Sequence, residues 1–221
     1  MNRTAIVGAV MFLFAVAPCR AQNRMAMRGF ADAGLTVFSA TQSFKAILGT
    51  PAGAVVGGGI EVGLTRNVSV SLAASRFRRT GERVFVFQDQ VFKLNVPDTI
   101  TVTPLQLSAS YRFLARPPTR FTRPVRPARY TPYAGGGVGW YRFSETSASS
   151  TSADDEKTTH AGYHVLAGVE TPIRRWMAAA VDAQWAWVPN AFGDSASSVA
   201  RLYDEHDLGG FTLSVRIIVG K

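Results

Sequence analysis

The stretch Leu105-Gln106-Leu107-Ser108-Ala109-Ser110-Tyr111-Arg112-Phe113 decides how the rest of the chain is read. Every second residue is apolar, and those between are small, polar or charged. Successive side chains of a strand point to opposite sides, so a period of two marks a strand with two unlike faces. An amphipathic helix would repeat at 3.6. The apolar face here ends in two aromatics, Tyr111 and Phe113.

The same period recurs in both directions from this segment. Upstream, Val68, Val70, Leu72 and Ala74 alternate with serines and an alanine. Before them come Ile60, Val62 and Leu64 against Gly59, Glu61 and Gly63, and Leu35 and Val37 against Gly34 and Thr36. Downstream, Ala134, Val138 and Trp140 alternate with glycines, and Tyr163, Val165, Ala167 and Val169 alternate with Gly162, His164, Leu166, Gly168 and Glu170. Ala179 to Trp187 and Phe211 to Val219 complete the set. Eight segments of about 9 to 13 residues result, close to what a tilted strand needs to cross a bilayer.

The connections alternate in length. Thr65–Asn67 and Thr171–Arg175 are short, whereas Thr41–Ala54, Thr80–Asp98, Ser144–His160 and Pro189–Asp207 are long and polar. Tight periplasmic turns and longer outer loops are sorted in this way by outer-membrane barrels. Leu114–Arg129 is long yet falls on the periplasmic side, and its prolines preclude regular structure there. The expected fold is therefore all-β, an eight-stranded antiparallel up-and-down transmembrane β-barrel.

Composition agrees. Hydrophobic residues make up 47% and charged residues 18% of 221, which excludes a disordered chain. No apolar run reaches the roughly 20 residues of a spanning helix. Thr4–Ala17 is shorter and reads as the apolar region of a secretory signal, with Arg3 ahead of it and cleavage expected after Ala21. Lipidation of Cys19 is the alternative, disfavoured by Pro18. Residues 1–21 are thus expected to be a signal peptide, 22–28 an N-terminal lead and 29–221 the barrel. Removal of Cys19 would leave no cysteine for a disulfide or a cysteine-bound metal. The formal charge of +9 resides mainly in six arginines between Arg112 and Arg129, and no nucleic-acid module accompanies it.

Alternation alone does not say which face meets lipid, since a lipocalin-like binder alternates too. The polar rows are mostly Gly, Ser, Ala and Thr, which suit a narrow lumen better than a solvated surface. Aromatics cluster at strand ends on the apolar rows, as interfacial girdles do. Ionisable residues on the polar rows recur at one depth: Asp32, Glu61, Arg112, Glu170 and Arg216, with Asp182 extending the set. Buried charges must pair, so these six are expected to form an ionic plug in the lumen. A proton or ion path through the same residues is the functional alternative.

Taken with Gly57-Gly58-Gly59-Ile60-Glu61-Val62-Gly63, Pro132-Tyr133-Ala134-Gly135-Gly136-Gly137-Val138-Gly139, Ala167-Gly168-Val169-Glu170 and Asp207-Leu208-Gly209-Gly210-Phe211, the chain resembles the small outer-membrane β-barrels of the OmpA-like and OmpX-like kind. The resemblance spans roughly residues 29–221. It implies a bacterial outer-membrane location and carries no catalytic signature.

His160 and His206 fall at the outer rim, where some lipid-modifying barrels keep a Ser/His site. Ser195, Ser197, Ser198, Asp204 and Glu205 are near in sequence but form no motif. Asp154, Asp155 and Glu156 with His160 lack the turn glycine that makes consecutive carboxylates converge on a cation. The triple glycines lack the Lys-Ser/Thr of a phosphate loop and read as close packing in the wall. Arg116, Arg120, Arg123, Arg126 and Arg129 form a periplasmic basic loop, either a contact for anionic headgroups or polymer or a solvated linker.

The sequence thus points to a non-enzymatic barrel with a closed, ion-paired lumen and a structural or surface-contact role. It is expected to use no cofactor and no nucleic acid, and to have outer-membrane lipid as its surroundings. A small-solute channel, a lipid-modifying enzyme and a soluble lipocalin-like binder are the alternatives.

Overall fold

The computed structural model describes residues 26–87, 90–114, 130–147, 156–191 and 199–220. Eight strands close into a barrel in sequence order: β1 (Met27–Phe38), β2 (Ala52–Gly63), β3 (Val68–Phe87), β4 (Gln90–Arg112), β5 (Thr131–Ser147), β6 (Glu156–Arg174), β7 (Met177–Trp187) and β8 (Gly210–Gly220). All neighbours are antiparallel, and β1 pairs with β8 from Arg28↔Gly220 to Phe38↔Gly210, leaving no free edge around the bilayer-height part of the wall.

The apolar rows face outward. Leu107, Val165 and Val215 are 43%, 50% and 55% exposed, while Glu61 is 5% exposed and faces in. An apolar outer wall around a polar interior is the arrangement of a membrane barrel, inverted from that of a soluble one. Tyr111, Phe113, Tyr130 and Trp176 ring the end with the tight turns. Trp140, Tyr163, Trp185 and Phe211 ring the other. Near the latter, Tyr163 stacks on Trp187 with centroids 5.2 Å apart.

Inside, glycines and aromatics are matched across strands. Phe30 pairs with Gly59, and its ring lies where a Cβ of Gly59 would stand, 2.8 Å away. Tyr133 covers Gly168 in the same way. A large ring thus fills the space the glycine leaves, a cross-strand device that also pins the register.

The long connections differ from the sequence reading. Thr41–Ala54 holds a helix, α1 (Thr41–Leu48), closed by Gly49 at φ 75° with its N–H on the Lys45 carbonyl. Thr80–Asp98 is almost entirely strand, because β3 and β4 run to 20 and 23 residues. Ser144–His160 is partly strand at both ends, and Pro189–Asp207 contains a short helix, α2 (Val199–Leu202). The barrel is therefore lopsided: β1, β2, β7 and β8 stop after 11 or 12 residues, while β3 to β6 continue well past the girdle.

The continuation inverts its pattern. Beyond Leu105 and Trp140, Phe77, Ile100, Val102, Tyr141 and Phe143 are buried inside, while Arg76, Arg78, Thr101, Thr103 and Arg142 face out. Above the bilayer the surroundings are water, so the same wall takes the pattern of a soluble sheet. The inner apolar side is covered by α1, whose Phe44 stacks on Phe38 at 4.1 Å and meets Phe77 edge-on.

Candidate functional site

The lumen is the site the sequence singles out, and it is built in levels. Nearest the tight turns, β1, β2, β4 and β6 each contribute one charge. Register explains the convergence: Arg28 pairs with Glu61, Arg112 ends β4, and Glu170 lies across from Thr131 at the matching end of β5. Arg28 donates from Nη1 to Glu170 Oε1 at 2.7 Å and from Nη2 to Glu170 Oε2 at 3.0 Å. The same Nη2 reaches Glu61 Oε1 at 3.0 Å. Arg112 donates to Glu61 through Nη2, and its Nε lies 3.6 Å from Glu170 Oε2. Two cations and two anions form one neutral, cross-linked layer, and bidentate arginine forks are the strong members of such sets.

Arg28 is absent from the residues picked out in the sequence. It sits in the stretch read as a lead, whereas β1 opens at Met27 and carries it into the wall. The signal available was parity: Arg28 and Asp32 share a face at even spacing.

Asp32, Asp182 and Arg216 stand at a second level, deeper by four residues along β1. Arg216 Nε is 3.1 Å from Asp182 Oδ2, and the guanidinium lies 4.2 Å over the Phe30 ring. That contact is close enough for an ion pair but is not aligned as a hydrogen bond, and Asp182 has no hydrogen-bond partner among the described residues. Asp32 lies opposite Arg216 in register. The five residues expected at one depth thus occupy two, with Asp182 at the second.

Ser69 and Ser110 pair at 2.9 Å beside the first level; further in, Ser108 Oγ pairs with His164 Nε2 at 2.8 Å and Gln106 Nε2 donates to Tyr141 Oη at 2.8 Å. A chamber of about 90 Å³ lies between the second ionic level and the apolar lid, bordered by Asp32, Thr36, Gln106 and Gln184. The space within the first ionic level is about 10 Å³, room for a single water.

The lid is held by the last loop. Glu205 accepts from the backbone N–H groups of Gln42 and Ser43 at 2.8 Å each and from Ser43 Oγ at 2.7 Å, so it caps the start of α1 from across the mouth. Asp207 likewise accepts from the Val188 and Gly209 N–H groups at 2.7 Å. Asp98 is buried beside the lid, and neither carboxylate oxygen has a hydrogen-bond partner among the described residues.

The remaining candidates are dispersed. His206 lies 3.0 Å from Asp204 on the exposed surface, while Ser195, Ser197 and Ser198 fall outside the described residues. His160 is on the inward row of β6 and its Nε2 is buried without a hydrogen-bond partner among the described residues. The sequence did not single out Ser108–His164, the serine–histidine contact inside the lumen. It is enclosed, and among the described residues His164 Nδ1 has no hydrogen-bond partner to orient the ring. Asp154 and Asp155 lie outside the described residues, and no group of three potential metal ligands occurs among the described ones. The triple glycines lie within β2 and β5. Arg116, Arg120, Arg123, Arg126 and Arg129 also fall outside the described residues.

No protein-family model matches the sequence, and no curated protein is similar to it at the sequence level. Among solved structures the chain is similar to Neisserial surface protein A, at 14% identity and a TM-score of 0.53, covering 88% of this chain and 97% of that one. It is also similar to the N-terminal β-barrel domain of Pseudomonas aeruginosa OprF, at 12% identity and a TM-score of 0.46, covering 90% and 100%. At such identities the likeness is one of fold. The fold is that of the small eight-stranded outer-membrane barrels. With its apolar outer band and two aromatic girdles, the protein is an integral outer-membrane barrel.

Proposed function

We propose that this barrel is non-enzymatic, with a lumen that does not conduct and a role in envelope structure or surface contact. The observation that carries the reading is closure at two heights. The Arg28–Glu61–Arg112–Glu170 layer narrows the lumen to about 10 Å³ at one end, and α1 with its aromatic cluster covers the other. Between them the chamber of about 90 Å³ holds no more than a few waters. The protruding β3–β6 wall offers a surface for contact, with Phe92 and Leu94 exposed near its tip. The arginine–proline segment is, on this reading, the periplasmic counterpart, suited to an anionic headgroup or polymer.

Planar-bilayer recording tests the reading. The wild-type barrel is expected to give no stable open level, and Arg112→Ala combined with Phe44→Ala should introduce one by removing a closure from each end. A steady ohmic conductance in the wild type would instead establish a small-solute channel.

A further inference from the structure

We infer that the outer wall of β3–β5 carries a binding site for the phosphorylated headgroup of an outer-leaflet lipid. The site is an open groove of about 400 Å³ lined by Arg76, Arg78, Arg142 and five hydroxyl side chains, with no carboxylate and no apolar residue in its lining. It rests on the membrane sidedness of the barrel and not on whether the lumen conducts.

Placement comes from the register. Leu105 pairs with Trp140 at the girdle, and the next outward pair along the same strands is Thr103↔Arg142, followed by Thr101↔Ser144 and Thr99↔Thr146. Arg76 and Arg78 straddle Phe77, whose partner Val102 lies between Thr101 and Thr103. Arginines from β3 and β5 therefore flank a threonine row on β4, roughly 10 Å apart at the ordinary strand spacing. The groove begins one residue pair past the apolar band and faces outward from the barrel, where headgroups of the surrounding lipid lie.

The chemistry is selective. Guanidinium groups only donate and are always charged, and their fork matches the oxygens of a phosphate. Among the described residues none of the three arginines has an ion pair with a carboxylate. Glu82, higher on β3, is engaged by Lys93 at 3.0 Å. Three cations at the lipid boundary, left without protein anions, call for anions supplied from outside. Two flanking arginines favour a headgroup with phosphates at both ends over a single phosphodiester. The hydroxyl row between them suits the polar body of such a headgroup.

The test uses the full barrel folded in mixed micelles, with native mass spectrometry reading the lipid retained. The probes are diphosphoryl lipid A, its monophosphoryl form and phosphatidylcholine. Wild-type protein should retain the diphosphoryl lipid in preference to both others. Arg76→Ala/Arg78→Ala/Arg142→Ala should lose that preference by at least about tenfold, as expected when several charge-assisted bonds go. The Arg→Lys triple should keep part of it, since charge remains but the fork does not. Folding of each variant is read independently from its mobility shift on boiling, and should the triple alanine variant fail there, Arg142→Gln alone gives the reading with a smaller loss. Equal retention of all three lipids by the wild type overturns the proposal. Competition by millimolar inorganic phosphate as effective as that by the lipid overturns it too, because the groove would then be a free-anion site.

Discussion

Arg28 is the residue on which the inner layer depends. It holds both carboxylates at once, whereas Arg112 makes one close contact and one longer one. Removing one partner of a buried set leaves the others charged and uncompensated, at a cost of about 3–5 kcal/mol. Arg28→Ala should therefore lower urea resistance in lipid vesicles by about that amount, followed by tryptophan fluorescence, and Arg112→Ala should cost less. Pairing Arg28→Ala with Glu170→Gln should recover part of the loss; equal effects of both single variants and no recovery would contradict this layout. Parity sufficed to read Glu61, Arg112 and Glu170 as inward from the sequence. Carried back from Asp32 it reaches Arg28 too, but Arg28 falls in the unpatterned stretch assigned to the lead, where the alternation was not extended. The split into two levels was hidden, since depth depends on how strands are staggered against each other.

Strand number, order and outward rows were legible, because the outer wall inside a bilayer must be apolar over its full height. The extensions of β3 to β6 were not read as strand, although their alternation is present in Ile100-Thr101-Val102-Thr103 and in Tyr141-Arg142-Phe143-Ser144. The apolar residues there change rows relative to Leu105 and Trp140, so a search for one continuous pattern stops at the point where lipid gives way to water. Helix α1 escaped for another reason: eight residues give little more than two turns, too few for a periodic signal. Its seat is nonetheless specific. A Cβ at Gly81 of β3 would collide with the Ile47 carbonyl and come within 2.9 Å of Leu48 Cα. Gly81→Val should lift the helix off the wall without unfolding the barrel. Trypsin cleavage at Lys45, expected to be slow in the wild type, should then accelerate. Unchanged cleavage would mean that the helix does not depend on that close approach.

For the molecule as a whole, the part within the bilayer should fold without the top of the upper wall. Leu105↔Trp140 marks the girdle, and Glu82↔Pro97 pair far beyond it. Replacing residues 83–96 by an Asn-Gly turn should leave a barrel that still changes gel mobility on boiling, because every strand keeps its lipid-facing length. Loss of the shift would show that the upper sheet is needed for closure.

Four tall strands beside four short ones also give the rim a front and a back. A polymer or neighbouring cell surface approaching from the low side reaches the mouth unhindered, whereas the tall side acts as a windbreak against the same approach. A barrel free to spin in the plane of the membrane would average this difference away. One tethered through lipid held on its tall side would keep it, and would greet what lies outside the cell from a single compass direction.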